Sequence, residues 1–279
     1  MQQDLRTLTR EIRQAARDLE RCYEPARLYD FRVAIRRVRS MLKHRDSKRA
    51  RRFRRTWGAF AAATNRARDW DVFLSTAEEL LSPSELDQFR HLSGAPLQSS
   101  RDAVTRMLES ARWRAYLKEW KRYLARARKH DQQRDGERSA PAQAGALDAA
   151  LVRARLALAV ALPRDDDTNW HKFRIAVKEV RYTAEREPPV PGGDSLAAQL
   201  VETCKAVQSL LGGWHDCVIQ LQLIDELAPS PLVAGLRKSL KQRRRQRLGD
   251  IRAAVAGQSL LKLCDGRTGT SRSRQSSAG

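Results

Sequence analysis

Long apolar runs are missing from this 279-residue chain. No uninterrupted stretch approaches the ~20 residues that carry a helix across a bilayer, and the opening MQQDLRTLTREIRQ has no apolar signal region. A soluble, cytoplasmic protein is therefore the expectation. Cysteine is scarce as well: Cys22, Cys204, Cys217 and Cys264 form no C-x-x-C pair and share no regular spacing. That excludes a disulfide framework and a compact zinc module, and leaves reduced thiols. No G-x-x-x-x-G-K-[ST] loop, H-E-x-x-H or G-x-S-x-G occurs, so the chain is not expected to be an enzyme. Acidic residues fall well short of basic ones, 33 against 54, for a net charge of +21. Such an excess points to a polyanionic partner: nucleic acid, polyphosphate or an anionic membrane face.

Two of those partners leave further marks to look for. A reader of single-stranded nucleic acid needs exposed aromatics among its basic residues. Here Trp57, Phe60, Trp113, Tyr116 and Trp120 recur at helical core spacing instead, so they read as packing residues, and only a nonspecific contact to RNA or DNA remains open. A metal-dependent phosphohydrolase would need clustered ligands. His171, His215, Asp216, Cys204 and Cys217 are the densest set, and their spacing fits no compact zinc pattern. The acidic run Asp165–Asp167 suits a helix N-terminus better than a magnesium site. Neither a metal nor any other cofactor is expected.

Strand-like alternation is absent too. Apolar residues instead recur at steps of three and four, beginning with Leu5, Leu8, Ile12, Ala16, Leu19 and Tyr23. The spacing predicts an all-α protein of about ten helices, near 5–23, 26–44, 48–64, 69–81, 101–129, 145–162, 168–186, 196–211, 214–227 and 231–263, with a short one after a cap at Ser82 or Ser84. SGAP at 93–96 and PPVPGGDS at 188–195 read as breaks, with Asp194 or Ser195 capping the next helix. The polar segment 130–145 reads as a linker, and the tail from Asp265 is too polar to pack.

Across that linker the two sides match. FRVAIRRVR at 31–39 returns as FRIAVKEVR at 173–181, with five of nine positions identical and three exchanged like for like. Arg32 corresponds to Arg174, Asp69 to Asp216, Arg101 to Arg244 and Leu117 to Leu260, at offsets of 142 to 147. A near-constant offset over this length marks a duplicated helical unit. Within the first copy Arg32, Arg36, Arg39 and Lys43 return to one azimuth, while Phe31, Ile35, Val38 and Leu42 form an apolar stripe a quarter turn away. Arg174, Lys178 and Arg181 repeat the basic ridge, which Glu185 shortens. The one remaining position, the seventh, reverses charge, Arg37 against Glu179, and should face solvent. One such helix alone reads as an ordinary amphipathic helix. A duplicated pair favours anion binding by guanidinium groups on rigid supports.

NRARDWDVF at 65–73 and GGWHDCVIQ at 212–220 occupy equivalent places in the two copies. Asp69 and Asp216 there read as helix caps or as braces for a ridge arginine, and His215 as a donor to an anion once protonated. At these residues the sequence resembles the CHAD family, the conserved histidine α-helical domain. YDFRVAIRRVRSMLK and HKFRIAVKEVRYTAE look like its two His-x-x-Arg helices, and RARDWDVFL and LLGGWHDCVIQL like the segments that follow them. The resemblance spans about residues 4–263.

It implies two similar four-helix bundles related by a pseudo-twofold axis, with a basic central groove or pore. On that pattern the domain would cover 1–264, its units about 1–129 and 146–264. It also implies binding of inorganic polyphosphate, with association with polyphosphate granules. The binding residues carried over are Arg32, Arg36, Arg39 and Lys43 in the first unit and His171, Arg174, Lys178 and Arg181 in the second. Lys205 and His215 support them, and Arg101 and Arg244 stand at the rim. Tyr29 occupies the first unit's usual histidine position, which removes a symmetric histidine role and leaves arginine-based phosphate binding intact; Glu179 and Glu185 weaken the second ridge, so the first unit is expected to contribute more of the affinity.

Overall fold

A computed structural model describes residues 4–43, 45, 47–133, 145–164, 166–185 and 196–257. Among them the ordered structure is entirely helical: α1 (Leu5–Arg21), α2 (Pro25–Lys43), α3 (Lys48–Ala63), α4 (Asn65–Leu80), α5 (Pro83–Glu109), α6 (Ala111–Gln133), α7 (Ala146–Ala161), α8 (Asp167–Ala184), α9 (Leu196–Leu223) and α10 (Pro231–Gly257), with one 3-10 turn at Ile224–Glu226. None of these helices is long and apolar enough to cross a membrane. The centre of the expected linker, the 188–195 turn with its caps, Asp165, Leu260, Cys264 and the tail lie outside the described residues.

Helix starts follow the sequence closely. Asp4 accepts from the amides of Arg6 and Thr7 at the head of α1, Ser47 from that of Ala50 at α3, and Asp166 from that of Thr168 at α8. Each satisfies amides that the first helical turn leaves without a partner. The expected choice between Ser82 and Ser84 resolves to Ser82, whose amide donates to Glu85 at 2.9 Å.

Two expected interruptions are absent. SGAP does not break the chain: α5 runs through Gly94 and Pro96. Proline removes an amide from a helix interior, but Phe89, Val104 and Leu108 of this helix are buried on both sides of it, and that packing holds it together. The break comes at Ser110 instead, whose hydroxyl accepts from the amide of Trp113 and so caps α6. Gly212 and Gly213 likewise fail to divide α9, because Leu211 and Trp214 on either side of them are fully buried.

The chain divides into two compact units. The first comprises Met1–Ser139 with Leu223–Ala234, the second Ala140–Gln222 with Gly235–Gly279. The first contains α1 to α6 and packs Phe31, Phe53, Trp57, Phe60, Trp113, Tyr116, Trp120 and Tyr123 into one core. Trp57 stands edge-on to Tyr116 at 5.0 Å and to Trp120 at 5.6 Å, an arrangement aromatic pairs favour. The second unit packs α7, α8, α9 and most of α10 around Leu151, Leu158, Val177, Val180, Leu200, Leu211, Leu248 and Ile251, with Trp170, Phe173 and Trp214 as its large rings.

Candidate functional site

The ridge helices carry the charge, and their apolar stripes set which way it points. Phe31, Ile35, Val38 and Leu42 of α2 are buried to 1% exposure or less, which turns Arg36, Arg39 and Lys43 outward to solvent. Those three span seven residues, about 10 Å of helix at 1.5 Å per residue. Arg39 is steadied from behind. Its guanidinium lies against Gly58 of α3, where an added Cβ would come within 3.2 Å of Cζ.

Arg32 has a different duty. Its Nη1 donates to the Ala61 carbonyl at 2.9 Å, to Thr64 Oγ1 at 2.6 Å and to Asn65 Oδ1 at 2.9 Å. These are the oxygens of the elbow where α3 ends and α4 begins. The guanidinium is half-buried there, and burial together with the nearby Arg68 lowers its pKa. Asp69 opposes that effect. Because α4 starts at Asn65, Asp69 sits inside the helix and is no cap. It pairs with Arg68 at 3.0 Å, and its charge braces Arg32.

In the second unit the same register is more deeply set. Arg174, Lys178 and Arg181 are all half-buried. Arg181 stacks over Tyr182 at 4.7 Å, with Glu185 3.5 Å from its Nε. α9 brings His215 up to His171 of α8, their ring centroids 5.1 Å apart and tilted by 44°. Burial and the charges of Arg174 and Lys178 hold both imidazoles below the usual histidine range, His215 at about 4. Asp216 pulls the other way on His215. Like Asp69 it lies within a helix, so it is no cap.

The remaining candidates are tied up locally or stand apart. Arg101 donates to Asp71 at 2.8 Å, Tyr23 donates to the other oxygen of that carboxylate at 2.5 Å, and the Arg101 guanidinium covers the Tyr23 ring at 4.8 Å. Arg244 donates through Nε and Nη2 to Asp167 at 3.1 and 2.6 Å. Both arginines fasten a long helix to the neighbourhood where a ridge helix begins. Lys205 pairs with Glu202 at 2.7 Å on the exposed side of α9. Tyr29, 65% exposed, lines an open groove of about 950 Å³ between α1 and α2, as does Arg37. Glu179, the counterpart of Arg37, pairs with Arg153 at 3.1 Å.

Asp166 and Asp167 serve as a cap and an ion-pair partner, and among the described residues no three His, Cys, Asp or Glu side chains gather as a metal site. Sequence reasoning passed over Asp71, Tyr23, Arg68 and Gly58. Asp71 is the second acid of RDWD, two residues from the one that drew attention.

A family model described as CHAD domain matches residues 2–225. The chain belongs to the CHAD domain family. The crystal structure of the CHAD domain from the plant Ricinus communis is similar in fold, with a TM-score of 0.60 at 20% identity over 94% of this chain and 88% of that one. No curated protein matches the chain by sequence. The CHAD match ends before α10, so Arg244 stands outside it while both ridge helices and the histidine pair fall within it.

Proposed function

We propose that this CHAD protein binds inorganic polyphosphate and does not transform it chemically, a role suited to a cytoplasmic protein on polyphosphate granules. The observation that carries this reading is the outward stripe of Arg36, Arg39 and Lys43 on a helix whose other side is locked into a core. A linear polyanion with one negative charge per interior repeat meets such a stripe unit by unit. Guanidinium groups supply planar, permanently charged donors for its oxygens. Release of counterions from the polymer then makes the affinity fall steeply with salt.

Arg36 and Lys43 are the residues to reverse, because Arg32 also holds the α3–α4 elbow together. An Arg36→Glu/Lys43→Glu variant should keep its circular dichroism and lose on the order of 10-fold or more in polyphosphate affinity near physiological salt, with a shallower salt slope. Undiminished affinity in the folded variant would remove the ridge from the site. Competition with RNA at matched charge concentration tests the ligand itself. Tighter binding of RNA, or a sequence preference, would replace polyphosphate with nucleic acid.

A further inference from the structure

We infer that the second unit captures polyanions together with protons, so that its affinity rises as pH falls while that of the first unit does not. This rests on the polyphosphate reading and adds its regulation. Two imidazoles lie 5.1 Å apart, one from α8 and one from α9. Arg174 and Lys178 continue the stripe of His171 along α8 at steps of three and four, and both cations act on both rings. On α9, Asp216 favours the charged form of His215. On α10, Arg243 and Arg247 add positive potential around the neighbouring Cys217. The balance keeps both imidazoles neutral near pH 7, since each proton would enter a half-buried space already holding two cations.

A bound polyanion reverses that balance. Its charge offsets Arg174 and Lys178, and its oxygens accept from imidazolium N–H groups, so the charged form of each ring becomes the favoured one. Protons are then taken up as the site fills. By linkage, the number taken up equals the slope with which log affinity rises as pH falls between the bound and free pKa values. Interior phosphates of a long chain stay singly ionised over this range, so the protons go to the protein. In the first unit Tyr29 stands at the position of His171 and, at the Asp69–Asp216 offset, Arg68 stands at that of His215. A phenol and a guanidinium do not change charge between pH 5 and 8, so the positions of that unit matching the histidine pair have nothing to titrate.

The test is calorimetric titration of the full chain with long-chain polyphosphate at pH 7.5 and 5.5 and constant ionic strength, in buffer pairs of different ionisation enthalpy. Net uptake of up to two protons is expected, with affinity up to 10-fold higher per pH unit for each proton linked. The Arg36→Glu/Lys43→Glu variant should keep the uptake, and a His171→Gln/His215→Gln variant should lose it. If the double variant does not fold, His171→Gln alone must reduce the uptake. Binding without proton uptake, or uptake unchanged in a folded histidine variant, overturns the inference and leaves the polyphosphate reading standing. No binding at either pH overturns both.

Discussion

Eight aromatic rings are buried in the core of the first unit, whereas three, Trp170, Phe173 and Trp214, are buried in that of the second. Branched aliphatics such as Leu151, Leu158, Val177, Val180, Leu200 and Ile251 fill most of the rest of the second core, while the first gathers seven aromatic side chains with Trp57. The ridge helices differ at two matched positions: Arg36 and Arg39 of α2 stand exposed, while their counterparts Lys178 and Arg181 of α8 are half-buried. The elbow at Thr64 is a local reason. In the first unit it offers Arg32 three oxygens to hold. In the second, α9 runs unbroken and presents His215 beside the ridge instead. A duplicated motif has kept its register and exchanged the partner of one arginine, and with it the kind of site the ridge can form.

The largest way to break this comparison is through the first core. Trp57 is fully buried against Phe60, Trp113, Tyr116 and Trp120, so Trp57→Ala removes a ring on which four others lean. A loss of about 3–5 kcal/mol is expected, read from urea unfolding followed by near-ultraviolet circular dichroism. A loss below about 1 kcal/mol would show that the aromatic cluster is filler and not the support of the α2 ridge.

Next come the two arginine clamps, whose arginines are equivalent in the repeat and whose carboxylates are not. Asp71 is 8% exposed and holds both Arg101 and Tyr23; burial and that carboxylate raise the Tyr23 pKa, so the phenol stays a donor. Asp71→Asn leaves a half-buried guanidinium short of its counter-charge, at a cost of about 3 kcal/mol. Asp167 is 44% exposed opposite Arg244, and solvent screens that pair, so Asp167→Asn should cost about 1 kcal/mol or less. Equal losses in thermal or urea unfolding would mean that the difference in burial does not govern the two clamps.

Much of this was legible in the residues, and the exceptions share a cause. Helix existence, the core stripes and the outward stripe of Arg36, Arg39 and Lys43 follow from steps of three and four, because one helix decides them. Helix ends were misplaced at Gly94–Pro96 and Gly212–Gly213, where packing by Phe89, Leu211 and Trp214 outweighs the local preference to break. The duties of Arg32 and Arg101 were hidden because each depends on a second helix, the Thr64 elbow in one case and Asp71 in the other. His171 and His215 were both picked out. Their approach to 5.1 Å needs α8 packed on α9, which spacing along the chain does not encode.

The smallest expected effect lies on one exposed face of the first helix of each repeat. Val152, Leu156 and Val160 of α7 are 54%, 63% and 44% exposed, and Ile175 of α8 is 54% exposed. At the 142-residue offset the three α7 positions match Arg10, Gln14 and Asp18 of α1, and Ile175 matches Val33 of α2, so the face of the first helix is polar in one copy and apolar in the other while its α8 neighbour is apolar in both. An exposed leucine gains little from the fold that a glutamine would lose, because most of its surface stays in water in both the folded and unfolded states. Leu156→Gln, which places the first copy's residue in the second, should therefore shift the unfolding free energy by no more than about 0.5 kcal/mol. A loss well above that in urea unfolding would mean that this face is covered in the folded protein, and that the two helices differ in what they pack against and not merely in what they show to solvent.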